Sequence, residues 1–199
     1  MINAVIFDIG NVLVEWQPER YYDAAIGRDR RIAFFNAIDM HDVNDKVDRG
    51  APFQATIYEA AAAHPDWAPE IRLWHDDWLN IAGPAIEQSA DILRALRAKG
   101  IRVFALSNFG IGSFAIAEEK WPILKEFDRR YISGHMGMAK PDAAIYAEVE
   151  RDCGWPVETL LFADDRMDNI AAAQARGWKT HLFDGPTGFE TRLQQEGLL

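Results

Sequence analysis

Cysteine and positive charge are scarce in this chain of 199 residues. The single cysteine, Cys153, excludes an internal disulfide, and its place in an apolar helical pattern favours a buried structural thiol over a nucleophile. The chain has 21 lysines and arginines against 31 aspartates and glutamates, a formal net charge of −10. This balance argues against a nucleic-acid-binding face and against adsorption to an anionic membrane.

Long apolar runs are also absent. No run approaches the length that spans a bilayer, and the N-terminus enters a strand pattern without a basic segment and an apolar stretch before it. We therefore expect a cytoplasmic protein. With 49% hydrophobic residues, the chain can bury a sizeable core as one domain with a modest insertion. Nothing in the pattern indicates an oligomeric state.

Strand and helix patterns alternate along most of the chain. Apolar runs predict five strands, at residues 3–8, 101–107, 129–133, 159–164 and 179–183. Helical periodicity predicts intervening helices at residues 85–99, 113–125, 142–153, 168–176 and 187–195. This alternation predicts an α/β fold with a doubly wound, Rossmann-like parallel sheet.

One segment interrupts the alternation. It shows no strand pattern, and helical stretches are predicted within it at residues 19–27, 29–39, 53–63 and 70–81. We interpret residues 15–83 as a small helical cap domain over the carboxyl edge of the sheet, and residues 1–14 and 84–199 as the core domain. Spacings of seven and four residues predict a buried stripe of tryptophans in the insertion, formed by Trp67, Trp74 and Trp78.

Polar side chains gather where the predicted strands end. Parallel sheets bind ligands outside the carboxyl ends of their strands, so we expect these side chains at one rim. Three acids, a hydroxyl with an amide, and a lysine are the groups that phosphoryl transfer uses as metal ligands, phosphate donors and neutralising cation. The residues concerned are Asp8, Ser107, Asn108, Lys140, Asp164 and Asp165.

Four motifs resemble those of the haloacid dehalogenase (HAD) superfamily, in the same order: FDIGNVLV, LSN, AKPD and FADDRMDNI. The insertion after the first motif resembles the four-helix cap subclass. The DIGNV form resembles a phosphatase-like branch that contains sugar-phosphate phosphatases and the N-terminal phosphatase domains of epoxide hydrolases. The resemblance spans nearly the whole chain. It implies an Mg²⁺-dependent phosphatase that acts on a small phosphorylated metabolite such as a sugar phosphate.

The resemblance also implies catalytic and substrate-binding roles. Asp8 would attack phosphorus and form an aspartyl phosphate that water then hydrolyses. Ser107 and the backbone N–H of Asn108 would hold a phosphate oxygen. Lys140 would neutralise the phosphate and the Asp8 carboxylate, and the Pro141 that follows it fixes its approach as the next helix begins.

A metal site follows from the same motifs. The resemblance implies that Mg²⁺ is held by Asp8, by the backbone carbonyl of Gly10 and by Asp165. Adjacent acids on an extended backbone point to opposite sides, so one of the pair should ligate directly. Alignment of the last motif gives that role to Asp165 and leaves Asp164 an outer-sphere or lysine-orienting role.

Gly10 departs from the family pattern, because the family's phosphatases usually carry there an aspartate that acts as general acid and base. Such help is worth roughly two to four powers of ten in rate. Three alternatives therefore remain open: a slow or selective phosphatase, a 2-haloacid dehalogenase-type hydrolase, or a catalytically weak binding or regulatory protein. Candidate proton donors on the insertion, each more simply explained as a surface residue, are Glu15, His41 and Arg49.

The paired acids bear on the dehalogenase alternative. Halide leaves carbon without a proton, so the glycine at position 10 would cost such an enzyme nothing. Displacement at carbon also needs no metal, however, and a metal site is what Asp164 and Asp165 suit. The sequence therefore favours phosphate ester hydrolysis.

Overall fold

The computed structural model describes residues 1–199 and contains two sheets. The strands, in chain order, are β1 (Ala4–Phe7), β2 (Val14–Trp16), β3 (Ala82–Ala85), β4 (Arg102–Ser107), β5 (Arg129–Ile132), β6 (Leu160–Asp164) and β7 (Lys179–Leu182). Five of them form a parallel sheet in the order β5-β4-β1-β6-β7, with β1 at the centre. The predicted α/β fold with a parallel sheet is confirmed.

Twelve helices surround the sheets. In chain order they are α1 (Pro18–Ile26), α2 (Arg28–Ala37), α3 (Met40–Asp48), α4 (Phe53–Ala63), α5 (Ala68–Asp76), α6 (Trp78–Ile81), α7 (Glu87–Ala98), α8 (Ile111–Lys120), α9 (Ser133–Met136), α10 (Ala143–Cys153), α11 (Met167–Ala175) and α12 (Pro186–Gln195). None of them combines the length and the apolar character that crossing a bilayer requires.

The parallel sheet is covered on both faces, which explains its nearly continuous apolar strands. Every residue of β1 is buried, and alternate side chains enter different hydrophobic clusters. Val5 and Phe7 belong to a cluster of 39 buried residues, which continues into helices α1–α6. Ala4 and Ile6 belong to a cluster of 13 on the other face. The core therefore lies in two layers around the sheet.

The helical segment, residues 18–81, is more divided than predicted. Helix α3 was not expected, although the side chain of Asp39 caps its first turn by accepting from the Asp42 N–H. The helix expected over residues 70–81 is broken at Asp77 into α5 and α6. Outside the segment, α8 ends at Lys120 and a 3₁₀ turn follows, because Pro122 lacks the N–H that would continue the helix.

A short antiparallel ladder joins the two ends of the helical segment. Strand β2 pairs with β3, with Val14 opposite Ala85 and Trp16 opposite Ala82. The expectation that residues 15–83 contain no strand is therefore wrong at both margins. Each strand has only three or four residues, and the AGPA sequence of β3 is typical of a turn, so only the tertiary pairing makes these residues strands.

Two side chains, those of Trp67 and Cys153, are less buried than predicted. Trp74 and Trp78 are buried, as the stripe predicts, but Trp67 is only partly buried. Cys153 is also only partly buried, so the prediction of a buried thiol is wrong; its thiol donates to the Glu150 carbonyl at 3.7 Å. Its place at the last turn of α10 leaves one side open.

Candidate active site

Asp8 lies directly after β1, at the centre of the sheet. Phe7 pairs with Ala105 on one side and with Ala163 on the other. This register places Asp8 beside the carboxyl ends of β4 and β6. The N–H of Asp8 donates to the Ala163 carbonyl at 2.9 Å, and its carboxylate accepts from the Ile9 N–H at 2.7 Å. The residue is 7% exposed. A nearly buried carboxylate thus stands at the carboxyl edge of the sheet.

Lys140 is a buried cation between two carboxylates. Its Nζ lies 3.0 Å from Oδ1 of Asp8 and 2.6 Å from Oδ2 of Asp164, and its side chain is 1% exposed. Burial lowers the pKa of Lys140, but the charges of Asp8 and Asp164 more than offset this effect and raise it above its ordinary value. The lysine is therefore held in its charged form.

Ser107 and Asn108, at the end of β4, meet the same group. Ser107 is buried, and its hydroxyl acts on the neighbouring Asp8 carboxylate by lowering the pKa of that group. The Asn108 side chain forms two hydrogen bonds with the backbone of Lys140. Its Oδ1 accepts from the Lys140 N–H at 2.8 Å, and its Nδ2 donates to the Lys140 carbonyl at 2.9 Å. No motif predicted this contact, which sets the position of the lysine. The role of the Asn108 backbone N–H toward substrate stays a prediction.

Asp8, Asp164 and Asp165 form one acidic cluster, with an oxygen of each within 4.8 Å of the others. Three carboxylates against the single ammonium of Lys140 leave an excess of two negative charges. Burial, together with the neighbouring carboxylates, raises the pKa of Asp8 above its ordinary value, although Lys140 and Ser107 oppose the shift. A divalent cation with a preference for oxygen ligands would neutralise this excess, so the donor set fits a hard metal ion.

The adjacent acids Asp164 and Asp165 have different surroundings. Asp164 is fully buried, and besides Lys140 its oxygens accept from the Asn169 amide at 3.0 Å and from the Arg166 N–H at 2.8 Å. Asp165 is only partly buried, and burial raises its pKa. Asp164 therefore has its oxygens occupied by protein donors, whereas Asp165 keeps more of its ligand capacity.

Asn169, five residues after the end of β6 at Asp164, also belongs to the site. It lies inside the first turn of α11 and donates its amide to both oxygens of Asp164. Its neighbour Asp168 is exposed and pairs with Arg166. Of these two residues, Asn169 holds the site carboxylate and Asp168 stays at the surface.

Asn11 also belongs to the site, although it was not among the predicted site residues. Its Nδ2 donates to Oδ2 of Asp165 at 2.9 Å, and its Oδ1 accepts from the Trp16 N–H at 2.9 Å. Its φ of 55° lies in the left-handed region, which asparagine tolerates better than other residues with a side chain. The Gly-Asn pair after the first strand was the available signal, since this pair is typical of a turn.

Replacing Asn11 tests the two functions of this turn separately. Asn11→Gly and Asn11→Ala both remove the hydrogen bond to Asp165, but only alanine carries the left-handed backbone cost of roughly 1–2 kcal/mol. We expect the alanine variant to be less stable than the glycine variant by about 1 kcal/mol in urea denaturation. Equal free energies of unfolding would contradict the strained turn.

The proton donors suggested on the insertion, residues 15–83, have other partners. Each is at least partly exposed and has a polar partner at the surface. Glu15 pairs with Arg20, His41 Nε2 lies 3.7 Å from Glu19, and Arg49 pairs with both Asp45 and Asp142. Arg49 thereby ties the helical segment to the residue that follows Lys140 and Pro141.

A family model for haloacid dehalogenase-like hydrolases matches residues 2–177. The chain belongs to this family. Membership places the four motifs in a family of hydrolases, and it agrees with the predicted superfamily.

Curated relatives of this HAD-like hydrolase differ in length and in activity. A drimenol cyclase from Aspergillus calidoustus is 27% identical over 92% of this chain, which spans only 34% of that protein. A sesquiterpene phosphatase from Aspergillus oryzae is 25% identical over 91% of this chain and 90% of its own. A D-ribitol-5-phosphate phosphatase from Bacteroides thetaiotaomicron is 24% identical over 98% and 97%.

Solved structures show the same fold. A HAD family enzyme from Bacteroides thetaiotaomicron, in complex with magnesium and inorganic phosphate, superposes with a TM-score of 0.70 at 22% identity, over 91% of this chain and 93% of that one. The L-2-haloacid dehalogenase from Xanthobacter autotrophicus gives a TM-score of 0.63 at 18% identity, over 90% and 76%. Both similarities establish the architecture.

Proposed function

We propose that this HAD-like hydrolase is an Mg²⁺-dependent phosphatase of a small phosphorylated metabolite. The observation that carries the proposal is the buried cluster at the end of β1, where Lys140 lies 3.0 Å from Asp8 and the oxygens of three acids lie within 4.8 Å of one another. A nucleophilic carboxylate, a fixed cation and a metal-binding set are what transfer of a dianionic phosphoryl group requires.

Each residue of the cluster has its own proposed role in phosphoryl transfer. Asp8 attacks phosphorus and the ester oxygen leaves, so that an aspartyl phosphate forms and water then hydrolyses it. Ser107 and the Asn108 N–H hold the transferring oxygens, and Lys140 offsets the charge that develops on them. Asn108 and Asp164 hold the lysine in place through its backbone and its ammonium group.

Mg²⁺ fits the donor set of this rim. We assign its ligands to Asp8, Asp165 and the Gly10 carbonyl, with Asp164 outside them, since protein donors already occupy the oxygens of Asp164. When bound, the ion reduces the negative charge of phosphate and nucleophile and so allows the two to approach. The magnesium and phosphate complex of the Bacteroides enzyme and the phosphatases among the relatives support this assignment.

Residues 15–83 are proposed to form a cap domain over the core formed by residues 1–14 and 84–199. The β2–β3 ladder brings the two connections of the segment together, and α3 and α4 contact α9 and α8 on the core side. Side chains of the segment then select the alcohol part of the substrate. Phosphatases of a sesquiterpene and of ribitol phosphate among the relatives favour a phosphorylated alcohol.

A panel of phosphate monoesters tests the proposal directly. We expect phosphate release that requires added Mg²⁺ and stops in EDTA, measured beside chloride release from 2-chloropropionate. Metal-independent chloride release would favour dehalogenation, to which Gly10 presents no obstacle. Turnover of neither substrate class would favour a binding protein, and in that case the Asp8→Asn variant would keep its biological activity.

A further inference from the structure

The Asp165 carboxylate has a single side-chain donor, Asn11, whose Nδ2 lies 2.9 Å from its Oδ2. The ammonium group of Lys140 pairs with Asp8 and Asp164, and Asp165 takes part in neither ion pair. Burial and then the charge of Asp164 raise the pKa of Asp165, while the hydrogen bond from Asn11 lowers it. The Asn11 amide therefore offsets part of the repulsion that the cluster imposes on Asp165.

The direction of the Asn11 amide follows from its other partners. Its Oδ1 accepts from the backbone N–H of Trp16 at 2.9 Å and from Nε2 of Gln17 at 3.2 Å. A backbone N–H can only donate, so the amide oxygen must face Trp16 and the amide nitrogen must face Asp165. One carboxylate oxygen of Asp165 is thus held by a fixed neutral donor, and the other accepts from no other side chain.

The backbone of Asn11 fixes a second proposed metal ligand. Its N–H donates to the carbonyl of Val14, in β2, at 2.8 Å. The peptide unit that joins Gly10 to Asn11 is planar and trans, so the Gly10 carbonyl points away from Val14. The left-handed φ of 55° at Asn11 forms the turn in which the carbonyl takes this direction. One residue therefore orients both a backbone oxygen and a carboxylate.

We infer that Asn11 is a positioning residue for the metal ion, which holds Asp165 through its amide and the Gly10 carbonyl through its backbone. This inference rests on the proposed phosphatase function and its Mg²⁺ ligands. Mg²⁺ requires nearly octahedral coordination, so a ligand that is free to rotate away lowers its affinity. Ca²⁺ accepts more varied ligand numbers and angles. Loss of the Asn11 amide should therefore weaken Mg²⁺ binding more than Ca²⁺ binding.

Isothermal titration calorimetry of the metal-free protein tests this inference without any substrate. Glycine at position 11 tolerates the left-handed turn, and so keeps the direction of the Gly10 carbonyl, but it removes the amide. We expect Asn11→Gly to raise the Kd for Mg²⁺ by roughly 10–100-fold, the usual effect of losing a group that orients a metal ligand. The Kd for Ca²⁺ should rise by no more than about threefold, because that ion adapts to a displaced carboxylate.

An exposed asparagine provides the matched control. Nδ2 of Asn80, in α6, donates to Oδ1 of Asp77 at 2.6 Å. Asn80→Gly removes the same kind of hydrogen bond but touches no proposed ligand, so both Kd values should stay within about twofold of the wild type. The Mg²⁺ concentration for half-maximal phosphate release should follow the same pattern, and it replaces calorimetry if the free protein binds Mg²⁺ too weakly to measure.

A measurement on the wild type keeps the inference testable if Asn11→Gly does not fold. The side-chain amide of Asn11 gives its own NMR signal in nitrogen-labelled protein. Addition of Mg²⁺ should shift this signal, because the charge of its partner Asp165 is then neutralised. An unchanged signal at saturating Mg²⁺ would contradict the inference.

The outcomes separate this inference from the function on which it rests. If the wild type binds no Mg²⁺ and releases phosphate from no ester, the proposed function fails. If the wild type binds Mg²⁺ and hydrolyses phosphate esters but Asn11→Gly keeps the wild-type affinity, then Asn11 only shapes the turn and the inference is wrong. Equal losses of affinity for Mg²⁺ and Ca²⁺ would also count against it, because general loosening of the rim weakens both ions alike.

Discussion

Asp8→Asn is expected to lower phosphate release from every ester that the wild type hydrolyses by roughly 10⁴-fold or more, the range seen when an enzyme loses its nucleophile. Asparagine has nearly the same volume but no anionic oxygen to attack phosphorus. Its effect should not depend on the leaving group, since the bond to Asp8 forms in every turnover. The measurement is kcat with saturating Mg²⁺ for alkyl and aryl phosphates.

The folded state should survive this substitution. Lys140 keeps its contact of 2.6 Å with Asp164, and the nearly buried position loses a charge whose burial is unfavourable. A melting temperature close to that of the wild type would show that lost activity is chemical. Asp91→Asn, an exposed acid on α7, controls for the change of residue type. A folded Asp8→Asn variant with a tenth of the wild-type rate would place the nucleophile elsewhere.

Lys140→Met is expected to cost both activity and stability. Methionine matches the length of lysine but leaves Asp8 and Asp164 facing each other without a cation. Removal of one partner from a buried ion pair typically costs about 3–5 kcal/mol, because the remaining charge stays buried and uncompensated. Urea denaturation in EDTA measures this loss without help from a bound metal ion.

A surface lysine provides the matched comparison. Lys179 pairs with Glu196 at 2.9 Å, but its side chain is 41% exposed, so Lys179→Met should cost only about 0–1 kcal/mol. Adding Asp164→Asn to Lys140→Met should recover part of the lost stability, since one buried charge is then removed. Equal losses of unfolding free energy in the two lysine variants would show that Lys140 does not neutralise the carboxylates of this rim.

The fold was predictable because its main signals are local. Strand β1 is fully buried and reads as an unbroken apolar run, and the residues at its end and at the ends of β4 and β6 carry the polar groups. Helix α3 was missed although Met40, Val43 and Val47 follow helical spacing, because polar residues dominate the rest of it. Strands β2 and β3 were missed because their pairing partners lie far apart along the chain.

The supporting residues of the site were predictable only in part, for a related physical reason. Asp8, Lys140 and Asp164 stand in motifs whose order along the chain already indicates a common rim. Asn11 reaches Asp165 across 154 positions, and Asn108 reaches the Lys140 backbone across 32. Such contacts arise from packing between distant segments, which no local pattern of residue types records.

The β2–β3 ladder has a consequence for how such enzymes diversify. Val14 lies opposite Ala85 and Trp16 opposite Ala82, so the chain leaves the parallel sheet and returns to it at neighbouring points. Because the two connections lie side by side, a segment of different length can replace the one between them, and its two ends would still meet the parallel sheet at the same points. An ancestral gene could therefore acquire new selectivity as a single inserted module while the aspartate at the sheet's centre kept its position and its chemistry.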